Sequence, residues 1–287
     1  MQWRLKESWV AQMDRVESLV ELERVLGTRR DSLIALVPTM GALHAGHEAL
    51  IGKAKSLAQT TVLSIFVNPL QFGDSTDFAR YPRTLAADID AARRLGVDVI
   101  WIPTEEDMYP PGMKITLIDP GRLGDEFEGA IRPGHFAGVL TVVSRLFEGV
   151  RPQFAIFGEK DRQQLELIKR MVKPEGRIEI VSVPSIREED GLALSSRNRF
   201  LTGLERERAL GMYRAINHAQ QVGGDGVATV AAVVAKELIA LDVEYSHLVD
   251  AQTWEVVSND FSGEAILVIA AKVGSVHLID NGLVRIG

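Results

Sequence analysis

Val37-Pro38-Thr39-Met40-Gly41-Ala42-Leu43-His44-Ala45-Gly46-His47 joins an apolar run to the start of a helical pattern. Leu33–Val37 has the length and character of a buried strand, and Pro38 and Gly41 end it. The spacing predicts a helix over Gly46–Ala58, which puts two histidines at a strand-to-helix turn. A helix N-terminus offers open backbone N–H groups and a partial positive charge, so it suits phosphate. Imidazole adds N–H donors that can follow charge as it develops on phosphate oxygens. Two ordinary loop histidines would read the same way. So would a metal pair, although no further His or Cys lies nearby to complete one. Glu48 can be a helix-start charge and nothing more.

Outward from this turn, strands and helices alternate. Strand-like runs are Leu33–Val37, Thr61–Val67, Val97–Ile102, Phe154–Phe157 and Ile178–Val183; helix-like runs are Gly46–Ala58, Thr84–Leu95, Gly138–Glu148 and Arg162–Val172. Residues 8–26 carry apolar positions at helical spacing (Trp9, Met13, Val16, Val20, Leu26), with Gly27 as a C-cap. The alternation predicts an α/β fold, a Rossmann-like parallel sheet with helices on both faces. In such folds ligands gather at the carboxyl ends of the strands. After about residue 184 the pattern changes. Two helical runs, Leu204–Gln221 and Val227–Leu241, flank a Gly-Gly-Asp-Gly break. Strand-like Val243–Val249, Ala265–Ala271 and Val276–Ile279 follow, with a turn expected at Asn281-Gly282. We expect a first domain over 1–184 and a smaller α+β domain over 185–287.

The chain has 287 residues, 46% of them hydrophobic and 25% charged, which fits a globular protein with a real core. The net charge of -7 argues against nucleic acid as a partner. Anionic ligands must then be met by local clusters of Lys, Arg and His. There is no cysteine, which removes disulfides and thiolate metal sites. No signal-peptide h-region and no run of about 18 apolar residues is seen, so the expectation is a cytoplasmic protein with no membrane partner.

Other segments offer chemistry, each beside a plainer reading. Asn68-Pro69-Leu70-Gln71 follows a strand; Gln71 is a turn former or a donor–acceptor for a hydroxy acid. Asp88 near a helix start is dipole chemistry, or helps hold Mg²⁺ beside phosphates. Glu128–Phe136, with Arg132 and two glycines, is a connector or a closing loop. In Gly158-Glu159-Lys160-Asp161-Arg162-Gln163-Gln164, Gly158 permits close ligand approach and Lys160 supplies a point charge for phosphate. Asp161 binds ribose hydroxyls or caps the next helix, and Gln164 faces the same mouth. Leu194-Ser195-Ser196-Arg197-Asn198 is a cap with a surface Arg, or a phosphate clamp.

The strand, glycine turn and His-x-Gly-His resemble the Rossmann-like nucleotidyltransferase superfamily. Taken in order, Pro38–His47, Asn68–Gly73, Tyr81–Thr84, Glu128–Phe136, Gly158–Gln164 and Leu194–Asn198 resemble the pantoate–β-alanine ligase family. Phe127 stands where that family often has a smaller aliphatic, and Arg145 where Lys is common. The resemblance implies an AMP-forming acid–amine ligase of pantothenate biosynthesis. Its substrates would be ATP, (R)-pantoate and β-alanine, and its intermediate a pantoyl adenylate. It implies that His44, His47, Lys160, Ser195, Ser196 and Arg197 surround the triphosphate, with His47 as proton donor and His44 and Lys160 sharing the catalytic work. Met40, Gly41, Ala42, Leu43, Ala45 and Gly46 would run along the nucleotide, joined by Gly158, Glu159, Asp161, Leu194 and the backbone at Ile186. Gln71 and Gln164 would hold pantoate, with Gln71 also near β-alanine. Mg²⁺ would enter with ATP, with Asp88 a candidate ligand and no tightly bound organic cofactor. A homodimer is expected, with Thr61–Val67 or the Gly138–Glu148 region as contact surfaces. Two rivals remain: an adenylyltransferase acting on a phosphorylated acceptor, and a nucleotide sensor without catalysis. The Gln71/Gln164 pair argues against the first, since a phosphate would call for Arg or Lys.

Overall fold

The computed structural model describes residues 13–73, 75–174 and 176–287. They fall into two compact units. The first holds residues up to Ile118, with Ala137–Phe157 and Ile168–Val183; the second holds Asp119–Phe136, Gly158–Leu167 and Pro184–Gly287. The second unit thus draws two segments from upstream of residue 184.

In chain order the elements are β1 (Asp14–Val16), α1 (Leu19–Gly27), β2 (Ile34–Thr39), α2 (Ala45–Leu57), β3 (Thr60–Ile65), α3 (Ser75–Arg80), α4 (Leu85–Leu95), β4 (Val99–Trp101), α5 (Glu105–Met108), α6 (Glu128–Ile131), α7 (His135–Val150), β5 (Phe154–Gly158), α8 (Arg162–Val172) and β6 (Glu179–Val183). There follow α9 (Gly203–Val222), α10 (Val227–Glu237), β7 (Asp242–Asp250), β8 (Gly263–Val273) and β9 (Val276–Ile286).

The first unit is built on a six-stranded sheet in the order β1-β4-β3-β2-β5-β6, and β1–β4, β4–β3, β3–β2 and β2–β5 all pair in parallel. The central strands are apolar on both faces because both faces are covered. Ala35, Val37, Leu63, Ile65 and Ile100 form one core with Leu50, Ile51 and Ala54 of α2 and Ala92 of α4. On the other face the Trp101 indole lies so close to Gly149 of α7 that a Cβ there would stand 2.9 Å from the ring. The strand order reverses between β2 and β5, and the carboxyl end of β2 leads into the two-histidine turn. Such a switch point is where sheets of this class bind ligands.

Two expectations for this unit are corrected. The periodicity over 8–26 is not one helix. Asp14–Val16 is a parallel edge strand on β4, and α1 starts only after Ser18, whose side chain accepts the Glu21 amide at 3.2 Å. Val20, counted among the apolar positions, is 81% exposed; Trp9 lies outside the described residues. Thr61–Val67 also cannot be a dimer surface along its strand. β3 lies between β4 and β2, with every residue from Thr60 to Ile65 buried. Much of the Gly138–Glu148 region is likewise committed within the chain, with Val139, Leu140, Val142, Val143, Leu146 and Phe147 all buried.

In the second unit, α9 and α10 lie on an antiparallel sheet in the order β7-β8-β9. Its core gathers Met212 and Ile216 of α9, Val230 and Val234 of α10, and Leu267, Ile269, Leu278 and Val284 of the sheet. The turn expected at Asn281-Gly282 is absent. β9 runs straight through, with Asn281 opposite Val268 and Gly282 opposite Leu267. The hairpin turn falls instead at Gly274-Ser275, where Gly274 takes φ +61°. Gly282 is small for packing: a Cβ there would stand 2.3 Å from Ile216 Cγ2 of α9.

Candidate active site

In the first unit, β2 ends at Thr39, whose hydroxyl donates to the Ser64 carbonyl at 2.7 Å and accepts the Gly41 amide at 3.2 Å. The chain then turns with φ +80° at Gly41. Any Cβ at Gly41 would stand 2.9 Å from an Asp88 oxygen as well as being strained. Asp88, from the first turn of α4, reaches beneath this loop and is 3% exposed. One oxygen accepts the Ala42 amide at 3.0 Å and the other the Leu43 amide at 2.9 Å, with the Thr84 hydroxyl donating as well. Asp88 is therefore the clamp that shapes the Met40–His44 loop. This is a different task from the Mg²⁺ ligand expected, since both oxygens are already committed to the loop. Among the described residues no group of three or more His, Cys, Asp or Glu is placed to hold a metal ion. Asp88→Ala should leave two loop amides without acceptors and destabilise by about 2–4 kcal/mol. Urea unfolding should show that loss, with faster hydrogen exchange at Ala42 and Leu43. Unchanged exchange there would show that the loop holds its shape without the carboxylate.

His44 and His47 cap α2. The Nδ1 of His44 accepts the Gly46 amide at 3.1 Å, and the Nδ1 of His47 accepts the His44 amide at 3.3 Å. Together they form the reciprocal box that Ser and Glu commonly make at a helix start. The rings lie 4.1 Å apart. Because both Nδ1 atoms accept, the proton of each neutral imidazole sits on Nε2. The backbone of the helix start thus fixes both rings through Nδ1.

Gln71 is oriented just as firmly. It ends a short turn, Pro69–Gln71, and is buried. The Tyr109 hydroxyl donates to Asn68 Oδ1 at 2.7 Å, and the Asn68 amide donates to Gln71 Oε1 and to the Gly138 carbonyl, each at 3.1 Å. Burial pushes the Tyr109 hydroxyl's pKa up, so it stays a donor. With its oxygen held, Gln71 donates from Nε2 to the Met40 sulfur at 3.3 Å. Gly138 of α7 permits this: a Cβ there would stand 2.3 Å from the Leu70 carbonyl oxygen. Sequence reasoning misses Asn68 and Tyr109 as site residues. Asn68 reads as a turn former in sequence, and nothing local links Tyr109 to it.

In the second unit, Lys160, Asp161, Gln164, Ser195 and Arg197 line one pocket. Gly158, Glu159, Ile186, Leu194 and Ser196 are not among its lining residues. The Ile186 carbonyl accepts the Leu194 amide at 2.9 Å, closing a hairpin whose end carries Ser195. Asn198 pins the hairpin by donating to Glu188 and to the Ala193 carbonyl. Glu159–Asp161 is a single turn before α8, and the Asn281 side chain donates to the carbonyls of Glu159 (2.9 Å) and Lys160 (3.0 Å). Next to Asn281, buried Asp280 takes a two-pronged bond from Arg187 at 2.7 and 3.0 Å. These two β9 residues therefore anchor the Lys160 turn and the Ile186–Leu194 hairpin. The Asn-Gly pair that suggests a turn hides both roles.

The pocket also contains Glu128, Arg132, His135, Tyr245 and His277. Only the segment bearing the first three stands out in the sequence, as a connector or a closing loop with Arg132 on it; Glu128, His135, Tyr245 and His277 do not. His277 Nε2 stands 3.0 Å from both Glu128 oxygens, and its Nδ1 meets Glu244. Lys272 lies 3.1 Å from Glu244, and the Tyr245 hydroxyl donates to Glu128. A bulge between Val243 and Tyr245 turns Glu244 out of the regular ladder. Burial opposes the charged forms here. The hydrogen bonds and opposite charges nonetheless hold the His277 pKa above its ordinary value, and that of Glu128 below, with Arg132 and His135 helping. The stabilisation from His277 is complete below its unfolded pKa of about 6.5. It is lost as pH rises through the raised folded value. That from Glu128 is present above the ordinary carboxylate range and lost on acidification. The stability gap between the parent and His277→Gln should therefore narrow in urea unfolding as pH rises above about 6.5 and through the raised folded value. A gap that widens with pH would contradict an imidazolium between Glu128 and Glu244.

A helix start carrying two aimed imidazoles, on a parallel sheet at its switch point, and a pocket bearing Lys160, Arg132 and Arg197 are the equipment of an α/β enzyme that works on a nucleoside triphosphate. A family model described as pantoate-beta-alanine ligase matches residues 10–283. A pantothenate synthetase of Nocardia farcinica is 48% identical over 258 residues, covering 88% of this chain and 80% of the relative. The structure of pantothenate synthetase from Thermus thermophilus superposes with a TM-score of 0.87 at 42% identity, over 94% of this chain and 99% of that one. The ligase from Francisella tularensis, described as complexed with beta-gamma ATP and beta-alanine, superposes at 0.78 with 34% identity, over 95% and 98%. The chain belongs to the pantoate–β-alanine ligase family.

Proposed function

We propose that this enzyme joins (R)-pantoate to β-alanine at the cost of ATP, through a pantoyl adenylate, in pantothenate biosynthesis. The observation that carries the reading is the His44–His47 cap, which fixes both imidazoles at the start of α2. A carboxylate is a poor electrophile, so it is first made into a mixed anhydride. A pantoate carboxylate oxygen attacks the α-phosphorus, the bond to the β-phosphate oxygen breaks, and pyrophosphate leaves. Positioning and charge neutralisation carry this step. His44, His47, Lys160, Ser195, Ser196 and Arg197 are assigned to the phosphates, and His47 to proton donation. An imidazole is suited to that part. The nucleotide enters as its Mg²⁺ complex, with the metal borne by the substrate's phosphates. The β-alanine amine then attacks the acyl carbon, AMP departs, and the amine loses a proton.

Gln71 and Gln164 are assigned to pantoate, and Gln71 also to the β-alanine side. The fixed Gln71 NH₂ group supports this assignment. Met40–Gly46, Gly158, Glu159, Asp161, Ile186 and Leu194 complete the nucleotide path. We read the enzyme as a cytoplasmic homodimer, with residues 1–184 binding nucleotide and pantoate and Ile186 and Leu194–Arg197 joining them on the nucleotide; sedimentation velocity tests the dimer. No helix among the described residues is long and apolar enough to cross a membrane. The reaction test uses pantoate, Mg-ATP and the enzyme with and without β-alanine. AMP, pyrophosphate and pantothenate should form, with net AMP release dependent on the amine. Formation of ADP and phosphate would overturn the acyl-adenylate route.

A further inference from the structure

Gln163 stands beside Gln164 on α8 and is 7% exposed. Its amide is fully spent on one neighbouring segment. Nε2 donates to the carbonyls of Leu123 at 2.7 Å and Glu126 at 2.8 Å, and Oε1 accepts the Glu128 amide at 3.1 Å. Two donors and one acceptor are thus satisfied by backbone, and neither N–H remains to meet a ligand. The segment so held is one that would not keep its shape unaided. Phe127, between two of the clamped residues, takes φ +49°, a conformation that a bulky side chain disfavours. Gly129 packs so tightly onto the preceding turn that a Cβ would stand 1.9 Å from the Gly124 carbonyl oxygen. Downstream lie Glu128 and Arg132, both lining the pocket that Gln164 lines.

We infer that Gln163 is a positioning residue: its amide holds the Leu123–Arg132 segment in the form that turns Glu128 and Arg132 toward the pocket. Successive residues of one helix then divide the work, Gln164 toward the ligand and Gln163 toward the backbone of Leu123, Glu126 and Glu128. The inference concerns the acid substrate because it rests on the reading that Gln164 meets pantoate. A wall displaced by even about 1 Å is enough to spoil alignment of a bound reactant.

The test measures steady-state kinetics and amide hydrogen exchange on Gln163→Leu, Gln163→Glu, Gly129→Ala and Gln164→Ala. Gln163→Leu should raise the KM for pantoate about 10- to 100-fold, while the KM for ATP moves less than about 3-fold. Exchange across residues 124–131 should accelerate. Gly129→Ala, which displaces the same segment without touching Gln163, should reproduce the same split. If Gln163→Leu does not fold, Gln163→Glu decides by the same readouts. It keeps an acceptor for the Glu128 amide and loses both donors. Unchanged pantoate KM with unchanged exchange overturns the inference, and so does a parallel rise in both KM values. If Gln164→Ala leaves pantoate KM intact, the pantoate reading of the pocket fails instead. Exchange across 124–131 in the Gln163 variants then decides alone: acceleration supports the clamp, and no change overturns it.

Discussion

Lys160→Ala is expected to lower turnover by roughly 10²-fold or more, with little change in the unfolding midpoint. The size is that of losing one preorganised charge, if Lys160 meets the phosphates as proposed. The lysine is 22% exposed at its side chain and sits 3.9 Å from the Asp161 carboxylate, a distance that leaves its ammonium largely available to a ligand. Its place is set by backbone: the Asn281 amide grips the carbonyls of Glu159 and Lys160, so the turn survives loss of the side chain. Lys160→Arg should recover only part of the activity. It restores the charge, but a planar fork does not occupy the place of a compact ammonium. Asn281→Ala should move activity in the same direction through the turn alone. Single-turnover measurement of adenylation separates these effects from product release. If Lys160→Ala turns over within about 3-fold of the parent, the residue does not stand at the reacting phosphates.

The parts of this molecule that are readable in its sequence are those whose causes are local. The β2–α2 turn announces itself because Gly41 and the helix start follow the apolar run within a dozen residues, although β2 continues through Pro38 to Thr39 instead of ending at the proline; the strands of the parallel sheet are apolar runs of the right length. The same locality explains the errors. Asp14–Val16 becomes a strand only because β4, more than eighty residues downstream, offers it a partner; its own periodicity resembles a helix. Asn281-Gly282 carries strong turn chemistry, yet the pair is held in β9 by pairing with β8, by Ile216 against the glycine, and by the carbonyls that receive the asparagine amide. The alternation of Val276, Leu278, Val284 and Ile286 across the pair is the signal that it lies within a strand. Glu128 and His277 are 149 positions apart, and only the folded second unit makes them partners. Asp88 shows a subtler limit. Its position near phosphate-handling loops is legible, but a carboxylate that shapes a loop and one that holds a cation look alike in sequence. They differ in what their oxygens touch.

The two histidines of α2 should separate helix capping from chemistry. His44→Ala removes both a cap and an N–H donor. It should cost about 1 kcal/mol of stability, the usual loss on deleting an N-cap acceptor, and roughly 10²–10³-fold in turnover, the scale of losing one aimed donor. His44→Asn divides these effects, because asparagine is among the best N-caps and can accept the Gly46 amide as the imidazole does. Its stability should return to that of the parent while its turnover stays low, since the imidazole Nε2–H is gone. His47→Gln repeats the logic three residues on, where glutamine can serve the His44 amide in a capping box. Urea midpoints and initial rates of AMP formation give both quantities for each variant. The decisive comparison is His44→Asn against His44→Ala. If asparagine restores activity along with stability, the first histidine is a cap and no more. If it restores stability alone, the imidazole acts on the substrate, and the helix start is a device that orients it.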